Sequence, residues 1–330
     1  MKKTYKIVID TKGADKGAKM VISGAVAALE KYENLELLLV GDKELIKSEC
    51  EAHGAPMSRI EILDAPNEIT NYDSPAAAIF EKTDSSLVMA LSALSERDDL
   101  VGLVNAGSTG ALIAGSMRYL STRERVRPAL AAVLPTEGGG FTCLVDTGAS
   151  IDCTASMLHH FARLGSDFMK KFYRIEAPRV GLLSNGKEQT KGNKVVKEAH
   201  ILLKEDSALN FVGNIEGTGA LSGECDVLVC DGFAGNQVLK VSEGIARRII
   251  TDIVKYSKKT GDESIMKLVG YLMGIYDFNS LGGGIILGAA KPVIKAHGAA
   301  NEKSIVSVVG ILLNMVENKE IFDKSAFEMQ

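Results

Sequence analysis

Residues 5–42 read YKIVIDTKGADKGAKMVISGAVAALEKYENLELLLVGD, and this stretch decides the fold class. Tyr5–Asp10 is a short apolar run that stops at an aspartate and a glycine-bearing loop, as a strand does. From Ala18 to Tyr32 apolar residues recur at spacings of three and four, which predicts a helix. Leu35–Gly41 is again almost continuously apolar, the pattern of a strand covered on both faces. The alternation continues outward. Further strands are expected at Ile60–Ala65, Leu100–Asn105, Ala129–Leu134, Thr142–Asp146, Arg179–Leu183, Phe211–Asn214, Val227–Cys230 and Ile285–Leu287, with helical spacing between them, as at Val195–Lys204. This order predicts an α/β fold with a doubly wound, mainly parallel sheet. With no internal repeat or obvious linker, the expectation is a single catalytic domain over residues 1–330, carrying a helical projection around 250–280.

Composition narrows the function classes. Hydrophobic residues make up 46% of the chain, aromatics only 5%, and tryptophan is absent, so the core must be built from Val, Ile, Leu and Ala. The net charge is −4 with lysine and arginine dispersed, which speaks against a nucleic-acid partner. No long apolar run follows the N-terminal MKKTYKIVID. The longest one, Val306–Val316, is interrupted by Ser307 and Asn314 and is too short to span a bilayer. A cytoplasmic location is therefore expected. The five cysteines are scattered without a C-x-x-C pair, which argues against a disulfide framework. At least three are expected to be small buried side chains, with Cys225 and Cys230 pointing to opposite strand faces.

Several motifs fail on inspection. Gly181 to Lys187 follows a P-loop spacing, but Glu188 stands where a Ser or Thr should hold magnesium, and Val180–Leu183 reads as the strand itself. The loop after Asp10 lacks the glycines of a dinucleotide site. His159 and His160 are adjacent and diverge on a helix, so they make no metal pair. No G-x-S-x-G elbow is present. Neither a cofactor nor a metal is expected. Cys153, beside Asp152 near a helix start, is read as a packed small residue rather than an acyl-carrying thiol.

What remains is a set of strand-end loops rich in Gly, Asn, Asp and Ser, following Asp10, Asn105, Asp146, Leu183 and Cys230. Ligands in open α/β sheets bind beyond the carboxyl ends of strands, and helix N-termini there favour anions. The loops after residues 10, 105, 146, 184 and 231 are expected to converge on one anion-binding cleft.

The same loops carry a resemblance over nearly the full length. Leu39-Val-Gly-Asp42, Asn105-Ala-Gly-Ser-Thr-Gly110, Arg127-Pro-Ala-Leu130 and Leu134-Pro-Thr136 resemble segments of the bacterial phosphate acyltransferases. So do Asp146 with Gly148-Ala149, Pro178–Leu183, Lys191-Gly-Asn193, Phe211-Val-Gly-Asn214, Asp231-Gly-Phe233 with Gly235-Asn236, and Lys295-Ala-His-Gly298. The first loop departs from the family's Asp-Ala-Met-Gly-Gly-Asp, reading Asp10-Thr-Lys-Gly-Ala-Asp15, and Ser108 stands for the family's Asn. The resemblance implies a homodimer with a fold similar to isocitrate dehydrogenases and phosphate acetyltransferases. It implies transfer of an acyl group from acyl carrier protein to inorganic phosphate for phospholipid synthesis, with peripheral membrane association.

Such a reaction needs no triad. A thioester is already activated and phosphate is already anionic, so the protein must position both and stabilise a developing oxyanion. Lys191 is expected to hold phosphate and Asn236 to donate to phosphate or the thioester oxygen. Asp10, Asn105, Gly107, Ser108, Thr109, Gly110, Asp146, Asn193, Asp231, Gly235, His297 and Gly298 are the expected substrate-binding set. Two alternatives stand beside this reading: a carrier-protein-binding or regulatory paralogue, and a phosphate acetyltransferase-like enzyme using acyl-coenzyme A. For membrane contact, residues 264–278 put Ile265, Leu268, Val269, Leu272 and Tyr276 on one helical face, with Met266, Met273 and Phe278 beside it.

Overall fold

A computed structural model describes residues 3–120, 127–276 and 283–317. The chain opens with β1 (Tyr5–Asp10), α1 (Gly17–Lys31), β2 (Leu35–Gly41), α2 (Lys43–Ala52), β3 (Ile60–Asp64), α3 (Pro75–Glu81) and α4 (Ser86–Glu96). It continues through β4 (Leu100–Asn105), α5 (Thr109–Tyr119), β5 (Ala129–Pro135), β6 (Phe141–Val145), α6 (Ala155–Phe172), β7 (Arg179–Leu183) and α7 (Lys194–Glu205). Then follow β8 (Asn210–Ile215), β9 (Val227–Val229), α8 (Gly232–Thr260), α9 (Ile265–Tyr276), β10 (Gly284–Leu287), β11 (Val293–Lys295) and α10 (Glu302–Glu317).

The chain divides into two compact units. The first takes its described residues from 1–130, Lys171–Arg174 and 282–330. Its strands run in the order β3-β2-β1-β4-β11-β10. All pairs are parallel except β10 with β11. Ile7 and Ile9 of β1 and Leu37 and Leu39 of β2 are fully buried, as the continuous apolar runs required. Ile22 and Leu29 of α1 are buried with them, and α10 packs along α1. The apolar stretch Val306–Val316 is therefore the core face and body of α10.

The second unit takes its described residues from 131–170 and 175–281, with strand order β5-β6-β9-β7-β8. Here β5 and β6 are antiparallel and the other pairs parallel. Leu134, Leu144, Ile215, Leu228, Cys225 and Cys230 share one core cluster. The cysteine expectation fails in one respect. Cys225 and Cys230 lie outside the three-residue β9, so strand alternation does not set them on opposite faces, and both join the same core.

The long α8 buries only Gly232, Gly235 and Ser257, and packs against α9. On α9 the expected single apolar face is split. Val269 is buried, and Leu272 and Tyr276 line a groove against Ile245 and Ile249 of α8. Leu268, Met266 and Met273 are exposed instead. Phe278 lies outside the described residues.

Candidate active site

The expected site residues fall into two groups, each within one unit. In the first unit the buried carboxylate of Asp10 ends β1 and accepts from the Lys12 amide (3.1 Å) and from Nδ2 of Asn105 (2.9 Å). Burial pushes Asp10 up to about 6, against the lowering by hydrogen bonds from Ser86, the Lys12 amide and Asn105. Asn105 in turn accepts the Gly107 amide through Oδ1 (2.9 Å), and its carbonyl accepts the Ala296 amide (2.8 Å). Asp15 donates its amide to the Gly298 carbonyl (3.0 Å). Three loops are thereby tied into one stack.

Gly13 makes the stack possible: its φ is +82°, and a Cβ there would lie 2.6 Å from the Gly107 Cα. Two of the three changed residues of this loop have found anchors. Thr11 is buried and donates to the Val40 carbonyl (2.9 Å), while the Lys12 ammonium reaches the Pro66 carbonyl. Beyond Gly107, Ser108 caps α5 by accepting the Ala111 amide at 3.5 Å. The amides of Thr109 and Gly110 have no partner within the helix, as the first turn of any helix dictates. His297 accepts the Ala299 amide at Nδ1 (3.1 Å), which places the proton of the neutral ring on Nε2.

In the second unit Asp146 organises the loops. Fully buried, it accepts the amides of Gly148 (3.2 Å) and Ala149 (3.0 Å) at Oδ1 and of Ser150 (2.6 Å) at Oδ2. Asp146 thus shapes the loop with its carboxylate. Its backbone meets α8 directly: a Cβ at Gly235 would come within 1.9 Å of the Asp146 carbonyl oxygen. The Gly232 amide donates to the Ser150 carbonyl (2.7 Å), seating the start of α8 on this loop. Asp231 caps α8 through the Ala234 amide (2.7 Å), and Asn193 caps α7 through the Val196 amide (2.9 Å).

Between the β7 end, the α7 start and the first turns of α8 lies a cavity of about 650 Å³. Its lining includes Ser184, Asn185, Gly192, Asn193, Asp231 and Phe233. Neither Lys191 nor Asn236 is among the lining residues. Lys191 is exposed, its stem lying over Gly186, and Asn236 is half-buried one turn into α8. The neighbouring lysines are paired: Lys187 with Glu224 at 2.8 Å and Lys194 with Glu198 at 3.9 Å.

Cys153 precedes the first turn of α6 and donates its thiol to the Ser150 carbonyl (3.3 Å). His159 bonds Asp206 at 2.7 Å, whereas His160 is more enclosed and burial lowers its pKa. Among the described residues no group of three or more His, Cys, Asp or Glu side chains gathers, and no helix is long and apolar enough to cross a membrane.

Residues 5–321 match the family described as fatty acid synthesis protein. The chain belongs to that family. Relatives named phosphate acyltransferase include those of Halothermothrix orenii, 38% identical over 96% of both chains, and of Clostridium novyi, 36% identical over 97% of both. The family's fold has counterparts among solved structures. A phosphotransacetylase from Streptococcus pyogenes superimposes with a TM-score of 0.65 at 18% identity, covering 95% of this chain and 94% of that one. A putative 4-hydroxythreonine-4-phosphate dehydrogenase from Salmonella typhimurium gives 0.56 at 15% identity, covering 95% and 100%. The α/β fold expected from the sequence, similar to phosphate acetyltransferases, is the one present.

Two features of the site escaped the sequence. Ser184 has a buried hydroxyl without a hydrogen-bond partner, which the residue types of its loop do not reveal. The carboxylates of Asp146 and Asp231 face their own backbone amides, a role that residue type alone does not reveal.

Proposed function

We propose that this protein forms acyl phosphate from acyl carrier protein thioesters and inorganic phosphate, as a homodimer supplying phospholipid synthesis. The observation that carries the reading is the state of the strand-end loops. Asp146, Asp231, Asn193 and Ser108 hold loop and first-turn amides, leaving other first-turn amides of three helices for an incoming anion or oxyanion. The names of the family's members support the same chemistry.

A phosphate oxygen attacks the thioester carbon, the C–S bond breaks, and the thiol leaves with the proton that phosphate gives up. Holding both reactants in line contributes about 7–11 kcal/mol. One donor aimed at the developing oxyanion contributes roughly 3–4 kcal/mol. Lys191 is the cation assigned to phosphate, and Asn236 the donor that follows the charge to the thioester oxygen. The exposed apolar side chains of α8 and α9, including Ile245, Ile249, Leu268 and Met273, support contact with a second copy or with a lipid surface.

The test is consumption of palmitoyl-carrier protein by purified protein, with acyl phosphate trapped by hydroxylamine as the hydroxamate. Hydroxamate should appear only when phosphate is present, with neither metal nor nucleotide added. Carrier-protein binding without turnover would favour a regulatory paralogue, and a preference for acyl-coenzyme A would favour the phosphate acetyltransferase-like alternative.

A further inference from the structure

The cavity of the second unit has a chemical character that selects its occupant. Among the described residues no lysine, arginine or histidine lines it, and its one charged lining residue, Asp231, is negative. Phosphate would find no cationic side chain among these walls. Its walls are mainly apolar: Leu158, Leu182, Leu183, Val196, Cys230 and Val238. Phe233 at the start of α8 is 61% exposed, an unusual position for a large apolar ring.

The polar lining groups are mostly committed to the protein's own backbone. Asn185 Oδ1 accepts the Gly192 amide (2.7 Å), Asn193 Oδ1 the Val196 amide (2.9 Å), and Asp231 the Ala234 amide (2.7 Å). The Nδ2 groups of Asn185 and Asn193 and the side chain of the exposed Gln237 add further polar atoms, but Ser184 is the described lining residue with a buried side-chain polar atom that has no partner. An unpaired buried donor calls for an acceptor on whatever fills the space.

We infer that this cavity holds the substrate's fatty acyl chain, with the thioester carbonyl accepting from the Ser184 hydroxyl. A neutral molecule with one acceptor and a long apolar tail matches a buried unpaired hydroxyl, mainly apolar walls and no cation. Val196, on the first turn of α7, and Val238, on the second turn of α8, then limit the chain length accepted. This assignment rests on the acyl-transfer reading given above and names the part of the second unit that recognises the acyl group.

The experiment uses the full-length protein in two assays. One titrates cis-parinaric acid, a fluorescent long-chain polyene fatty acid. The other measures kcat/KM in phosphate for palmitoyl- and butyryl-carrier protein. Val196→Trp fills the cavity from α7. Gln237→Trp obstructs it from an exposed position on α8, where a larger side chain does not threaten folding.

Both variants should weaken probe binding and lower the palmitoyl-to-butyryl ratio of kcat/KM, each by about tenfold or more, since a few lost methylene contacts are worth that much. Ser184→Ala should lower kcat/KM on both chain lengths alike. An unchanged chain-length ratio in both tryptophan variants, with wild-type turnover intact, would overturn the cavity assignment and leave acyl transfer standing. Probe binding that both variants abolish, in a protein that turns over no thioester, would uphold the cavity and remove the transferase reading. A wild-type protein that turns over palmitoyl-carrier protein yet binds no probe would overturn the assignment too.

Discussion

The two units use the same local vocabulary to different ends. Each sets an aspartate at a strand end, follows it with glycines, and starts a helix with a capping side chain. In the first unit the loops close on themselves. Asp10, Asn105 and the Gly13–Gly107 contact form a stack in which a single added methyl has no room. In the second unit the loop between β7 and α7 runs for ten residues, from 184 to 193, and the segments around it enclose a cavity. One arrangement fixes amides rigidly, and the other leaves space for something apolar. A glycine-rich strand end therefore does not by itself say whether a ligand enters; the separation of the following helix from the strand does.

The largest expected effect lies at Asp146. Its carboxylate serves three amides in a fully buried position, so Asp146→Ala should cost at least about 3 kcal/mol of stability, read by denaturant unfolding. A loss below about 1 kcal/mol would mean that the second unit's loops are not held as described. Next is Asn236→Ala, expected to reduce kcat about a hundredfold or more with stability little changed. Lys191→Ala should instead raise the phosphate KM. Near-wild-type kinetics in both would remove them from the catalytic assignment.

The first unit is sharpened by Gly13→Ala. With φ at +82° and Gly107 within 2.6 Å of the new Cβ, it should destabilise by about 2 kcal/mol and lower turnover together. A neutral result would show that the stack is loose. A further effect concerns pH. Burial raises Asp10 from the usual 3.8 to about 6, so the folded state holds more protons than the unfolded one between those values. Its favourable contribution is complete below about 3.8 and is lost as pH rises through about 6. Asp10→Asn should remove this slope, so that its stability relative to wild type improves as pH goes from 4 to 7. A relative stability independent of pH would contradict the buried, raised carboxyl.

Much of the fold was legible because the strands are apolar on both faces and stop at turn residues. Tyr5–Asp10, Leu35–Gly41, Leu100–Asn105 and Arg179–Leu183 have the bounds expected of them. Val293–Lys295 was not read as a strand. Three residues between Pro292 and Ala296 are too few to show a period, and β11 exists through pairing with β4 and β10. The antiparallel pairs are set by topology, which no local pattern records. At the site, the residue types that cap helices stood out in the sequence, and Ser108, Asn193 and Asp231 do cap them. The cavity was not legible, because it depends on how far apart β7, α7 and α8 stand.

The reaction proposed for this protein is direct acyl transfer to phosphate, within capped, amide-rich loops and without a covalent thiol intermediate. Its most direct test is a single-turnover measurement on Cys153→Ser with palmitoyl-carrier protein, with and without phosphate. Acyl phosphate should form at a substantial fraction of the wild-type rate, with no loss of thioester when phosphate is left out. A folded Cys153→Ser protein that forms no acyl phosphate, or a wild type that becomes acylated in the absence of phosphate, would contradict it.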